Sequence, residues 1–216
     1  MGKTRGAIQA SWVAAAAPMV FLVFGTAATL AAQGYSSMLS PISALADPAQ
    51  PHSWIINIGF ITYGIMVQGL GFVLYASSDR RFSQILLPAL VLLYGSGGVA
   101  AGIFVTGESN FVAFGLTEGD LHGVASWVTI SAVLMLMAAG AFVQPLGGGS
   151  PAIRRVSLAM LVLTIAAVLQ YSLMPSGTAP GGFFQRVFFV TTMVWVFACS
   201  LHLGRQLRKR QKTVLY

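Results

Sequence analysis

The chain has 216 residues, of which 56% are hydrophobic and only 8% charged, and its formal net charge is +7. Soluble domains carry roughly 25% charged residues, so this composition excludes a water-soluble globular fold. Nor does the basicity signal nucleic acid, because the cations sit in pairs beside apolar runs without interleaved aromatics or a folded basic face.

Six apolar stretches are long enough to cross a hydrocarbon core, which needs about 20 residues. They lie near Trp12–Ala32, Trp54–Ala76, Ile85–Thr106, Val124–Val143, Val156–Met174 and Val187–Gly204. Backbone polar groups in lipid must be satisfied internally, so each stretch is expected to be a helix. The expected fold is therefore an all-α, six-helix membrane bundle forming a single domain over residues 1–216. The first apolar run exceeds the roughly 7–15 residues of a signal-peptide core, and it is read as a retained span. Pro18 is expected to kink it, and Pro88 to sit in the opening turn of the third.

Placing the N-terminus in the cytoplasm puts Lys3, Arg5, Arg80, Arg81, Arg154, Arg155, Arg205, Arg208, Lys209, Arg210 and Lys212 on that side. Asp47, Glu108, Glu118 and Asp120 then fall on the other. This asymmetry follows the positive-inside rule and predicts a cytoplasmic (inner) membrane protein with both termini inside. The bilayer is its first partner, and the basic tail can also touch anionic lipid. Homo-oligomerisation or a membrane partner stays open. The single cysteine, Cys199, lies inside the sixth span and cannot form an internal disulfide.

Gly98 and Gly102, with Gly95, Gly97 and Ala101 beside them, give the third span a small-residue face for close helix packing. In the second span, Gly64 shares a face with Asn57 and Gln68. Nearly all remaining polar chemistry lies in the outer loops. In the first, Ser40 is expected to cap a short helix opened by Pro41 and stopped by Pro48, with Ile42 and Leu45 on its apolar face. Ser53 is expected to cap the second span, leaving His52 and Asp47 near its mouth. In the second outer loop, Thr117-Glu118-Gly119-Asp120 fits a capping pattern. Glu118 and His122 are four residues apart, a spacing that suits a proton relay or a pair of metal ligands. The third holds Gly177, Gly181 and Gly182 before Phe183-Phe184-Gln185-Arg186. As the lone base on the acidic side, Arg186 is expected to pair with Asp47, Glu108, Glu118 or Asp120, or else to hold an anionic head group.

Taken in order, Ile42-Ser43-x-Leu45, Trp54 and Asn57, Gly102-x-Phe104, His122, and Gly182 with Gln185-Arg186 resemble the domain of unknown function 998 family over nearly the whole chain. The resemblance implies a six-helix prokaryotic membrane protein and carries no established activity. This chain departs from the family pattern at Ala44 and Ala46, where an acid and a glycine are usual. It departs again after Gly102-x-Phe104, where Val105 and only later Glu108 stand for a proline and an acid. If the missing acid is catalytic in the family, Asp47 is the residue placed to replace it.

Three classes of function remain. An outward pocket could bind a lipid or other amphiphile, with Asn57, Arg186, His52 and Asp47 as polar contacts. An enzyme could use His122 with Glu118 or Asp120 as acid and base and Ser43 as nucleophile. An accessory subunit could use the same residues only to knit its loops. No Gly-x-Ser-x-Gly elbow or phosphate-binding Gly-x-x-x-x-Gly-Lys motif occurs, and no charge lies mid-span to mark an ion path. Haem between His52 and His122, or zinc completed by a carboxylate, is chemically adequate, but no cofactor or metal is expected. The favoured reading is the lipid-like ligand.

Overall fold

The computed structural model describes residues 2–78, 81–106, 111–113, 115–143, 150–173 and 180–213. Six long helices dominate: α1 Gly2–Ala31, α2 Trp54–Ser77, α3 Arg81–Ile103, α4 Glu118–Phe142, α5 Pro151–Leu173 and α6 Gly181–Thr213. Each contains a stretch long and apolar enough to cross a membrane. Between α1 and α2 lies a short 3-10 helix, Ile42–Ala46. Strands β1 Phe111–Ala113 and β2 Leu116–Thr117 pair antiparallel before α4, and Gly115 takes the left-handed φ of +75° that their turn requires.

Several helices outrun their apolar spans. α1 begins ten residues before Trp12 and carries Lys3 and Arg5, while α6 continues past Gly204 through Arg205 to Thr213. At 33 residues, α6 is about 50 Å long, well beyond a hydrocarbon core of about 30 Å. Hydropathy marks the membrane-buried part of a helix, and polar residues extend that helix into water. The same effect moves Pro88 out of the opening turn, because α3 starts at Arg81. Pro88 therefore lies in the helix interior and leaves the Gln84 carbonyl without its usual amide partner. At the start of α4 the expected cap is present: Thr117 Oγ1 accepts from Asp120 N at 3.1 Å, and Asp120 Oδ2 accepts from Thr117 N at 2.9 Å. Ser40 does not cap the short helix, since Pro41 occupies that position. Ser53 precedes α2 without a side-chain cap bond.

Successive helices pack against each other and α6 closes back on α1, while α2 touches α6 across the bundle. The termini thus share one end, and the 3-10 helix, β-hairpin and start of α6 share the other. At the centre, Phe21, Phe60 and Phe189 join α1, α2 and α6, with ring centroids 5.2 to 5.9 Å apart. Large apolar side chains such as Val23, Ile65, Leu93 and Val162 face outward, as lipid contact requires.

α5 is the most peripheral helix. Its buried residues form one stripe, Ile153, Ser157, Leu161, Thr164 and Ala167, and from Leu169 to Leu173 every residue is exposed. The end of α5 nearest the 3-10 helix is therefore the least covered part of that helix, along the seam it forms with α4.

Candidate functional site

A cavity of about 270 Å³ lies inside the bundle beside that seam, walled by α2 to α6 and the 3-10 helix. Its polar side chains gather toward the 3-10 end, where Ser43, Thr106, His122, Ser126, Ser172 and Gln185 meet. The opposite wall is aromatic and aliphatic, with Phe60, Tyr63, Tyr94, Ile130, Phe188 and Phe189. Apart from the ionisable His122, no described lining residue can carry a charge near neutral pH. Trp127 and Tyr171 flank the mouth and are 57% and 43% exposed, so the cavity opens sideways between α4 and α5.

His122 reaches this space because the Thr117–Asp120 box starts α4 one turn earlier. Its ring is 5% exposed, and Nδ1 lies 2.8 Å from the Phe104 carbonyl oxygen. A carbonyl only accepts, so Nδ1 carries the hydrogen, and whenever the ring is neutral Nε2 is the acceptor. Ser43 is held from two sides. Thr106 Oγ1 donates to its carbonyl at 2.6 Å, and Gln185 Nε2 approaches its Oγ at 3.5 Å. Gln185 Oε1 also accepts the Ile42 amide, which fixes the 3-10 helix against α6. Deeper in the cavity, the Tyr63 and Tyr94 hydroxyls are 2.7 Å apart. Each polar group satisfies the other in an apolar surrounding.

Ser43 and His122 thus share the cavity, while the other candidates lie elsewhere. Glu118 Oε2 faces the Val105 amide at 3.5 Å and makes no bond to His122. Asp120 is exposed and committed to Thr117. Asp47 Oδ1 takes the Ala49 amide at 2.8 Å, which makes it a turn residue. His52 is exposed with φ of 61°. Asn57 lies on α2 outside the cavity wall, its Oδ1 buried without a partner. Glu108 lies outside the described residues.

Arg186 faces the other way, into a groove between α1 and α6 lined by Phe21, Thr29 and Ile42. Among the described residues no carboxylate pairs with it. Nη1 instead serves the carbonyls of Ser37 at 2.5 Å, Gly182 at 3.0 Å and Ser40 at 3.2 Å, and Nη2 donates to the Tyr35 hydroxyl. Three acceptors in the first loop and one at the start of α6 satisfy the half-buried guanidinium in place of the expected ion pair. Among the described residues no three His, Cys, Asp or Glu side chains cluster as metal ligands.

The short motifs prove to be mutual neighbours. Gln185 holds Ile42 and Ser43, the Phe104 carbonyl holds His122, and Gly102 packs so closely on α2 that a Cβ there would stand 2.7 Å from the Asn57 carbonyl oxygen. A Cβ on Gly182 would likewise meet the Ser37 carbonyl oxygen at 2.7 Å. The family model described as protein of unknown function (DUF998) matches residues 15–202. The chain belongs to this family. The match spans every motif that carries the resemblance, from Ile42 to Arg186. No curated protein and no solved structure matches the chain.

Sequence reading missed Tyr63, Tyr94, Thr106 and Trp127 as cavity residues. Nothing in their spacing separates a cavity wall from ordinary packing. Only the packing of α2 to α6 around one space makes them neighbours of a cavity.

Proposed function

We propose that this protein binds a slender amphiphile that enters sideways from the membrane between α4 and α5. The observation that carries this reading is the polarity gradient of the cavity: hydroxyl, amide and imidazole groups at the 3-10 end, mostly aromatic and aliphatic walls beyond, where the Tyr63 and Tyr94 hydroxyls bond each other and Thr129 bonds its own helix, and a mouth at Trp127 and Tyr171. A few placed polar groups in an apolar concavity are the usual marks of a ligand site. The volume equals that of roughly nine liquid water molecules. It admits a head group and the first carbons of one chain, and the rest would lie in the seam.

The positive-inside rule turns the polar end of the cavity away from the cytoplasm and both termini toward it. The inner membrane then supplies the ligand from its outer leaflet. An acid/base enzyme would draw on the same His122, but Glu118 and Asp120 are occupied by backbone amides and Thr117. The geometry therefore favours binding over catalysis. It also favours binding over an accessory role, because a purely structural cluster has no need of a cavity.

Gly123 gives a direct test. It lines the cavity, and a Cβ placed there meets nothing within 4 Å, so a side chain can start there without a clash, and Gly123→Phe is the cavity-filling variant. Native mass spectrometry of protein extracted from its own membranes should show a retained lipid-sized adduct. Gly123→Phe should lose it with little change in melting temperature. An adduct equally abundant in Gly123→Phe would overturn the reading.

A further inference from the structure

Resting on that binding reading, we infer that the ligand's head is an uncharged hydroxyl, so that the site takes a lipid-like alcohol and rejects phosphate-bearing lipids. Three independent observations converge on this class.

The first is the direction of the His122 hydrogen bond. With Nδ1–H given to the Phe104 carbonyl at 2.8 Å, the remaining ring nitrogen, Nε2, presents a lone pair. His122 is 95% buried by virtue of its 5% exposure, lines the cavity, and has no second partner among the described residues. An acceptor that faces a largely apolar cavity gains a hydrogen bond from a ligand that donates a hydrogen. A carbonyl, ether or fully ionised phosphate cannot donate.

The second is Ser43 at the same end. Gln185 Nε2 approaches Ser43 Oγ as a donor, which leaves the serine hydroxyl hydrogen free to be given to a ligand oxygen. The cavity end therefore offers an acceptor on His122 and a donor on Ser43. A hydroxyl, which both donates and accepts, is complementary to either group.

The third is the absence of cations from the described lining. A phosphate brought into an apolar membrane cavity needs Arg or Lys to offset its desolvation. Arg186, the nearest base in sequence, lies on the α1 side of α6 with its guanidinium given to Ser37, Ser40, Gly182 and Tyr35. The aromatic cluster of Phe21, Phe60 and Phe189 stands between the α1–α6 groove and the cavity.

The experiment uses the full chain in phosphatidylcholine nanodiscs and three probes with one tail: dodecanol, dodecyl methyl ether and dodecyl phosphate. Binding is read by calorimetric titration, with empty nanodiscs as the partition control. Dodecanol should bind about tenfold more tightly than either other probe, the scale of one well-formed hydrogen bond. In His122→Phe, which keeps a ring but no lone pair, alcohol and ether should bind alike. If His122→Phe fails to fold, the wild-type ranking alone still decides. Ether or phosphate binding as tightly as the alcohol, and abolished by Gly123→Phe, would overturn the hydroxyl assignment and leave the cavity reading standing. Absence of binding by all three would overturn both.

Discussion

Gly95 on α3 faces Gly64 on α2 so closely that a Cβ on Gly95 would stand 2.5 Å from the Gly64 carbonyl oxygen. No side chain fits there without moving backbone. Gly98 is looser, since its nearest foreign atom would be 3.4 Å away and its other side borders the cavity. Gly97 serves a different helix and packs on Ala125 and Thr129 of α4. Gly95→Ala should therefore destabilise by about 1–3 kcal/mol, the range of an overpacked core, and Gly98→Ala by much less. Melting temperatures in detergent provide the comparison. A Gly98 variant as damaged as the Gly95 variant would contradict this division of the glycine face.

Arg186 ties the first loop to the start of α6. Removing it takes a charged donor from the Ser37, Ser40 and Gly182 carbonyls and from the Tyr35 hydroxyl, although Tyr35 still donates to the Ser40 and Pro41 carbonyls. Arg186→Ala should cost about 1.5–3 kcal/mol, the scale of a charge-assisted hydrogen bond. Arg186→Lys should recover little, because an ammonium cannot reproduce the planar fork. Retained melting temperature with lost ligand binding would instead make Arg186 a head-group contact.

These two residues show how unevenly sequence informs. The six crossings and the cap at Thr117 are local, since apolar length and short-range hydrogen bonding decide them. The partner of Arg186 is not local: the nearest residues of its loop partner, Tyr35 to Ser40, lie about 150 positions away in the chain. Charge logic names carboxylates as candidates, yet carbonyls in an irregular loop are equally good acceptors and leave no mark in residue identity. For His122 the position was legible and the partner was not, again because that partner is backbone. Residues of the cavity wall were the least legible, since they look like core until the packing of α5 is known.

Trp195 tests whether polar pairs buried in the bundle are matched one to one. Its indole Nε1 donates to Ser157 Oγ at 2.9 Å, and both residues are 0% exposed. Ser157→Ala should leave the indole N–H without an acceptor and cost about 1–3 kcal/mol. A double change, Ser157→Ala with Trp195→Phe, should cost less than the sum of the two single changes. Thermal unfolding of the four proteins measures the coupling, and simple additivity would show that the contact contributes nothing specific.

The last prediction concerns which way the bundle faces. The start of α1 and the end of α6 lie at one end of the bundle, and the loops bearing Ala49 and Leu116 lie at the other. The orientation proposed from the charge asymmetry puts the terminal end in the cytoplasm. Cys199 is 1% exposed, so single reporter cysteines can be introduced without first removing it. Ala49→Cys and Leu116→Cys, both at exposed positions, should react with a membrane-impermeant maleimide on intact cells. Thr213→Cys, exposed at the far end of α6, should react only after lysis. The reverse pattern would invert the protein and move the cavity's polar end to the cytoplasmic leaflet. Labelling of Ala49→Cys and Thr213→Cys from the same side would be more damaging, because six antiparallel crossings cannot place those two residues together.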